Sequence, residues 1–237
     1  MTAPSALVFR TWGGRRDGAG RKPVGPKTGV PHCCRRKHQA PHPLHVTLRA
    51  TRGCQSLRSS HLFPTLRSAI AKASTDVFRV AQFSVQTNHV HLIIETADEG
   101  TLGRGMQGLA IRLAKAVNRL SRRRGRVWAE RYHSRALRTP KEVRHALAYV
   151  LLNGRKHQVC GVGIDPCSSG RWFDGWGGRV ALSSERRPVA RAESWLLRLG
   201  WRRHGLICLG ESPGGGRKRL RPWTAFRLSA LARVARV

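Results

Sequence analysis

Regular alternation of apolar and polar residues begins near Pro43. The run His45-Val46-Thr47-Leu48-Arg49 alternates strictly and predicts a first strand over residues 45–49. Leu62, Leu66, Ile70 and Ala73 recur at helical spacing and predict a helix over 59–74. Residues 77–86 and 89–96 are two strand-like runs split by Gln86-Thr87-Asn88, the signature of a hairpin. Leu102, Met106, Leu109, Leu113, Val117 and Leu120 then trace one stripe of a long amphipathic helix. Residues 131–137 read as a fourth strand. A last helix is marked by Thr139 as N-cap, Pro140 in its first turn and Glu142 completing a capping box. The resulting order is β-α-β-β-α-β plus one more helix. It predicts an α+β chain with a ferredoxin-like antiparallel sheet packed against helices.

This patterned block, residues 42–157, is flanked by two segments of different character. Residues 1–41 are rich in Gly, Pro, Arg and Lys and cannot bury enough apolar surface to order themselves, so they read as a basic flexible tail. Residues 158–237 carry Trp172, Trp176, Trp195, Trp201 and Trp223 among arginines and glycines and read as an irregular basic extension. Within it, residues 194–199 suggest a short helix. No internal repeat is visible.

Charge changes the picture more than composition does. Lys and Arg number 45 against 12 Asp and Glu, a formal net charge of +33. So large an excess repels itself in a compact protein unless a polyanion lies beside it; nucleic acid is the default polyanion, and an anionic membrane surface is the competitor. No apolar run approaches the length of a membrane span, so no membrane partner is expected. Six cysteines without a CxxC pair suit reduced thiols of a cytoplasmic protein. Arg112, Lys115, Arg119 and Arg122 form a basic stripe on a second side of the long helix. Such a stripe is often only a solvated face. With this net charge it is expected to contact phosphates.

Two features carry candidate chemistry. In His89-Val90-His91 the period-two geometry of a strand puts both imidazoles on one face, while Val90, Leu92 and Ile94 point to the other. Two imidazoles so placed can share one divalent ion, although such pairs also arise incidentally. In the last helix Val143, Leu147, Val150 and Leu151 define the apolar stripe. At about 100° per residue Tyr149 lies roughly 145° from its centre, on a face with Glu142, His145, Asn153 and Lys156. A tyrosine there is either exposed or covers a second surface.

The run Phe83-Ser84-Val85-Gln86-Thr87-Asn88-His89-Val90-His91-Leu92-Ile93-Ile94-Glu95 resembles the strand that carries the His-hydrophobic-His motif of the HUH single-tyrosine transposases. It is most similar to their bacterial REP-associated branch. Gly125-Arg126-Val127-Trp128-Ala129-Glu130-Arg131-Tyr132-His133-Ser134-Arg135 is similar to the stretch before the family's catalytic helix. Leu147-Ala148-Tyr149-Val150-Leu151-Leu152-Asn153 matches the helix itself, with asparagine four residues after tyrosine. The resemblance spans residues 42–157, with the motifs in order. It implies that His89 and His91 are metal ligands for Mg²⁺ or Mn²⁺, that Asn153 is a third ligand, and that Tyr149 is the nucleophile. It further implies single-stranded or hairpin DNA as partner, a covalent 5′-phosphotyrosine intermediate, and homodimers in some members. Family members usually follow the asparagine with proline, where this chain has Gly154, a departure that touches Asn153 more than Tyr149.

The implied chemistry is physically sound. A phenol is mostly protonated near neutral pH, with an unperturbed pKa of about 10, so a metal that orients and polarises the scissile phosphate matters. Gln86 and Glu95 are polar neighbours of the motif without an assigned role. Tyr132, the one other tyrosine, is the alternative nucleophile. His157, Cys160 and Cys167 lack the paired spacing of a zinc site. Gly103, Gly105 and Gly108 do not form a phosphate loop after a strand and instead permit close packing or close approach of DNA backbone. Two other functions compete. A passive RNA- or DNA-binding module of the same shape needs stacking aromatics on its central strands, but Phe78 and Phe83 differ in parity. Another HUH nicking enzyme, a replication initiator or relaxase, is the third reading. Relaxases place their tyrosine near the N-terminus, and this chain has none before Tyr132.

Overall fold

The computed structural model describes residues 38–156 and 163–211. The tail expected over 1–41 therefore lies outside the described residues except for 38–41, as do His157, Cys160 and everything after Glu211. Strand β1 (Leu44–Arg49), helix α1 (Phe63–Ala71), strands β2 (Phe78–Val85) and β3 (His89–Thr96), helix α2 (Glu99–Leu120), strand β4 (His133–Ala136) and helix α3 (Pro140–Leu151) follow in that order. The four strands form an antiparallel sheet of order β2-β3-β1-β4, the ferredoxin-like arrangement. Strand β3 is thus central, as the apolar Val90, Leu92 and Ile94 face requires.

Local signals set the element ends. Helix α1 is shorter than its periodicity suggests because Pro64 stands in its first turn and lacks the N–H to continue the helix upstream. The Asp98 carboxylate caps α2 by accepting from the backbone N–H of Thr101 at 2.7 Å. Thr139 and Glu142 close the predicted capping box on α3. Gly105 of α2 allows a close approach: a Cβ there would come within 2.2 Å of the Phe78 ring. The predicted role of that glycine in packing is therefore met at one of the three positions.

The two faces of the sheet are unlike. Leu44, Val46 and Leu48 of β1 and Val90, Leu92 and Ile94 of β3 pack with α1 and α2 in one apolar core. Phe78, Val80, Phe83 and Val85 join them from β2. Phe78 and Phe83 share this face despite their opposite parity. A β-bulge between Val80 and Gln82 inserts one residue and resets the alternation. Both rings are buried and present no stacking surface. The opposite face carries Ile93 and Ala81 beneath α3, with polar residues around them.

Beyond α3 come α4 (Asn153–Lys156), β5 (Trp176–Gly177), α5 (Trp195–Arg198) and β6 (Ile207–Cys208), with 3₁₀ turns at Ser169–Trp172 and Gly200–His204. The short helix expected at 194–199 is α5, capped by Ser194. This extension is irregular yet firmly packed. Phe173, Trp176, Leu196, Leu197, Trp201 and Ile207 share a second core with Val143, Leu147, Val150 and Leu151 of α3. It also finishes the open edge of β2: Val85 donates its N–H to the Cys167 carbonyl at 2.8 Å, and Ala190 donates to the Val80 carbonyl at 2.9 Å. A bidentate Arg58–Asp165 pair, at 2.7 and 2.8 Å, pins the same segment to the loop before α1.

Candidate active site

The sheet face beneath α3 gathers the polar residues of three strands. The β1–β3 register sets Thr47 opposite His91 and Arg49 opposite His89. The β1–β4 register sets His45 opposite Arg135 and Thr47 opposite His133. Residues directly opposite share a face, so His45, Thr47, His89, His91, His133 and Arg135 form one basic, imidazole-rich surface. His89 and His91 meet with ring centroids 4.7 Å apart at 84°. His91 is buried, while His89 is half-buried.

Tyr149 of α3 covers this surface. Its ring lies 5.2 Å from that of His91 and 5.7 Å from that of His45, edge-on to both. The tyrosine that sits away from its helix's apolar stripe therefore covers a second surface, and that surface is the histidine pair. The stripe itself faces the second core. The helix is buried on two sides because the extension packs against it.

Sequence reasoning missed the two residues that contact His91 Nδ1. The Nδ1 of His91 lies 3.1 Å from Thr47 Oγ1 and 3.1 Å from His45 Nε2. Burial, followed by the charges of His133 and Arg135, pushes the His45 imidazole down to about 4, so it is neutral at pH 7. A neutral His45 accepts at Nε2 when His91 carries its proton on Nδ1. The signal in the sequence was the parity of His45 and Thr47 in β1. Only the strand register shows that they face His91.

The residues present suit a divalent ion in part. His89 Nδ1 lies 2.8 Å from Asn88 Oδ1 and the His91 Nδ1 is engaged as above, so both rings would ligate through Nε2. Asn153 is fully buried, and neither its Oδ1 nor its Nδ2 has a hydrogen-bond partner among the described residues. A buried amide left so costs about 1–3 kcal/mol, which an ion bound at Oδ1 would offset. Among the described residues no group of three or more His, Cys, Asp or Glu is placed to hold a metal. The residues that could supply donors are two adjacent imidazoles and, separately, the buried Asn153 amide.

Other residues singled out in the sequence lie elsewhere. Arg112, Lys115 and Arg119 are exposed on α2, in the layer across the sheet from Tyr149. Arg122 is exposed too but does not belong to the helical stripe: α2 ends at Leu120, Ser121 caps it, and Arg122 turns the chain with φ of 48°. Tyr132 packs against the α1–α2 core, on the side of the sheet opposite the histidines. Gln86 is buried and donates from Nε2 to Ser84 Oγ at 2.6 Å. Glu95 accepts the backbone N–H groups of Glu193 and Ser194, both at 2.9 Å, and so anchors the extension. Cys54, Cys167 and Cys208 are free thiols. No helix among the described residues is long and apolar enough to cross a membrane.

No protein-family model matches the sequence, and no curated protein does. Among solved structures, the chain is similar to a REP-associated tyrosine transposase bound to a REP hairpin. The TM-score is 0.50 at 20% identity, covering 70% of this chain and 100% of the other. At that identity the likeness speaks to the fold alone, an α+β chain with a four-stranded antiparallel sheet packed against helices.

Proposed function

We propose that this protein is a single-tyrosine DNA transposase of the HUH type, which cuts and rejoins single-stranded DNA, including strands that flank hairpins. The observation that carries the reading is the seating of Tyr149 over His91; the buried Asn153, whose amide has no partner among the described residues, follows just past the end of α3 at the start of α4. A passive binding module has no use for that arrangement. The fold likeness to a transposase bound to a hairpin supports the same partner.

The Tyr149 phenol oxygen would attack the phosphorus of a backbone phosphodiester. The new bond is Oη–P, and the bond that breaks is P–O3′, leaving a 3′ hydroxyl and a 5′-phosphotyrosine. The proton lost by the phenol is balanced by the one gained at the 3′ oxygen. The reverse attack by a 3′ hydroxyl rejoins a strand without external energy. A divalent ion held by His89, His91 and Asn153 would polarise the phosphate and hold it in line with the phenol. Two imidazoles favour Mn²⁺ over Mg²⁺, which prefers oxygen donors. With no carboxylate to neutralise it, such an ion would bind weakly alone and more tightly with a phosphate. His133, Arg135 and Arg49 border the same face and would steer the strand toward it. Arg112, Lys115, Arg119 and Arg122 would contact flanking phosphates across the molecule. The locale expected is the cytoplasm, and a homodimer is compatible with the reading.

The test is incubation of the full chain with single-stranded DNA, with and without Mn²⁺, followed by a search for a covalent adduct. Tyr149→Phe should abolish adduct and cleavage while shifting stability by no more than roughly 0.5 kcal/mol. Tyr132→Phe should leave both intact. A stable Tyr149→Phe protein that still forms the adduct overturns the proposal.

A further inference from the structure

The extension carries an unusual surface for a segment that finishes a fold. Residues 163–211 contain eight arginines and no lysine. The turn from Ser194 through His204 exposes two large apolar side chains, Trp195 at 48% and Leu199 at 54%. Arg203 lies over the Trp195 ring, its guanidinium carbon 4.9 Å from the centroid. The ring edge rests on Gly200, where a Cβ would come within 2.7 Å of it. The indole is therefore held in place rather than loose on the surface.

The charge around it is uncompensated. The acidic residues of the extension are engaged: Asp165 with Arg58, Asp174 with Arg202, Glu185 with Arg67, Glu193 with Arg79 and Glu211 with Arg144. Arg191, Arg198 and Arg203 are exposed and have no carboxylate partner among the described residues. Beside the turn opens a cavity of about 510 Å³ whose lining includes Gln82, Arg191, Arg198, Leu199 and Trp201. Exposed apolar area ringed by unpaired arginines fits a partner that is flat, aromatic and anionic. Single-stranded nucleic acid is that partner, since its bases stack on indole and guanidinium planes while its phosphates pair with arginine. A second copy of this chain is a poor occupant, because each carries a formal charge of +33.

The mounting of this surface ties it to the active strand. Glu95 of β3 holds the backbone N–H groups of Glu193 and Ser194, the residues that open α5. Glu95 follows His91 by four residues on one strand, a separation of roughly 13 Å at 3.3 Å per residue. We infer that Trp195, Arg198 and Arg203 form a second docking surface, for single-stranded DNA that runs on from the strand seated at Tyr149. The identity of that DNA rests on the function proposed above; the surface itself does not.

The experiment measures the affinity of the full chain for a long oligothymidine by fluorescence anisotropy at several salt concentrations. Adduct formation on a short oligonucleotide is followed in parallel. Trp195→Leu keeps apolar contact with Gly200 and removes the ring, and Trp195→Phe keeps a smaller ring. Trp195→Leu should weaken binding by about tenfold at fixed salt, with Trp195→Phe retaining most of the affinity. Arg198→Ala with Arg203→Ala should reduce the salt slope by about 1.4, two phosphates at roughly 0.7 each. None of these changes should alter the Tyr149 adduct on the short strand. Trp195→Leu with wild-type affinity, or equal losses for the Leu and Phe variants, would overturn the inference. So would unchanged DNA affinity accompanied by a change from dimer to monomer in sedimentation. Absence of the adduct in the wild type, with the tenfold effect intact, would count against the Tyr149 reading alone.

Discussion

The two faces of the central sheet are made by alternate residues of the same strands, and they have opposite chemistry. Val90, Leu92 and Ile94 enter an apolar core with α1 and α2, while His89, His91 and Glu95 on the reverse side meet α3 and the extension. The first face stabilises by burial, at about 25 cal/mol per Å² of apolar area removed from water. The second buries Ser84, Gln86 and His91 almost completely, groups that favour water unless partnered. A fold alone has no reason to keep that layer polar. Its persistence beneath a tyrosine is the strongest physical mark of function in the molecule.

The largest contrast comes from truncating the two faces of β3 separately. His89→Ala with His91→Ala should abolish Mn²⁺-dependent cleavage and leave single-strand affinity nearly unchanged. Leu92→Ala should instead lower stability by about 2–5 kcal/mol, the usual loss at a buried leucine, and reduce activity only as the folded fraction falls. Cleavage assays and denaturant titrations on both variants separate the outcomes. Retained cleavage in the double histidine variant would remove the functional meaning of the polar face.

A smaller effect should come from Thr47, whose hydroxyl lies 3.1 Å from His91 Nδ1. Thr47→Val preserves shape and removes that partner. Groups that orient a metal-binding imidazole typically change affinity by about tenfold to hundredfold, so Mn²⁺ affinity, read by electron paramagnetic resonance, should fall by that order. Thr47→Ser should retain it. Equal affinities in the Val and wild-type proteins would reduce Thr47 to a packing residue.

Much of this contrast is legible in the sequence, for a definite reason. Period-two alternation in 89–96 and period 3.6 in 140–151 are local properties, so the strand, the capped helix and the face of each histidine follow without tertiary information, whereas the break at Leu152 that sets Asn153 in α4 did not. The resemblance to single-tyrosine transposases then implies a nucleophile's role for the tyrosine, as proposed above. What stayed hidden depends on long-range pairing. Thr47 and His45 reach His91 only through the β1–β3 register. The bulge in β2 that brings Phe78 and Phe83 to one face leaves no turn residue in the sequence to announce it. The packing of the extension was equally invisible, because the partners of Trp201 and Glu95 lie far along the chain. The end of α2 before Arg122 was missed for a different reason: the chain turns at a non-glycine residue.

The smallest expected effect concerns how α3 presents Tyr149, and it is read by pH. Glu142 accepts the backbone N–H of Arg138 at 2.7 Å and that of Thr139 at 3.2 Å, and pairs with Arg135 at 2.8 Å. The Arg138 backbone hydrogen bond first, and then Arg135, hold its carboxyl below the ordinary glutamate value against a smaller opposing effect of burial. The folded state therefore binds this proton less readily than the unfolded chain. The stabilisation is present above the unfolded pKa of about 4.5 and is lost as pH falls through the lower folded value. A capping interaction of this kind is worth about 1 kcal/mol. Glu142→Gln should retain part of the cap while losing the charge, and its stability relative to wild type should converge below pH 4 or so. Denaturant midpoints measured from pH 7 downward check this directly. A Gln variant whose deficit stays constant across that range would show that the charge adds nothing to the cap, and that hydrogen bonding alone fixes the start of α3.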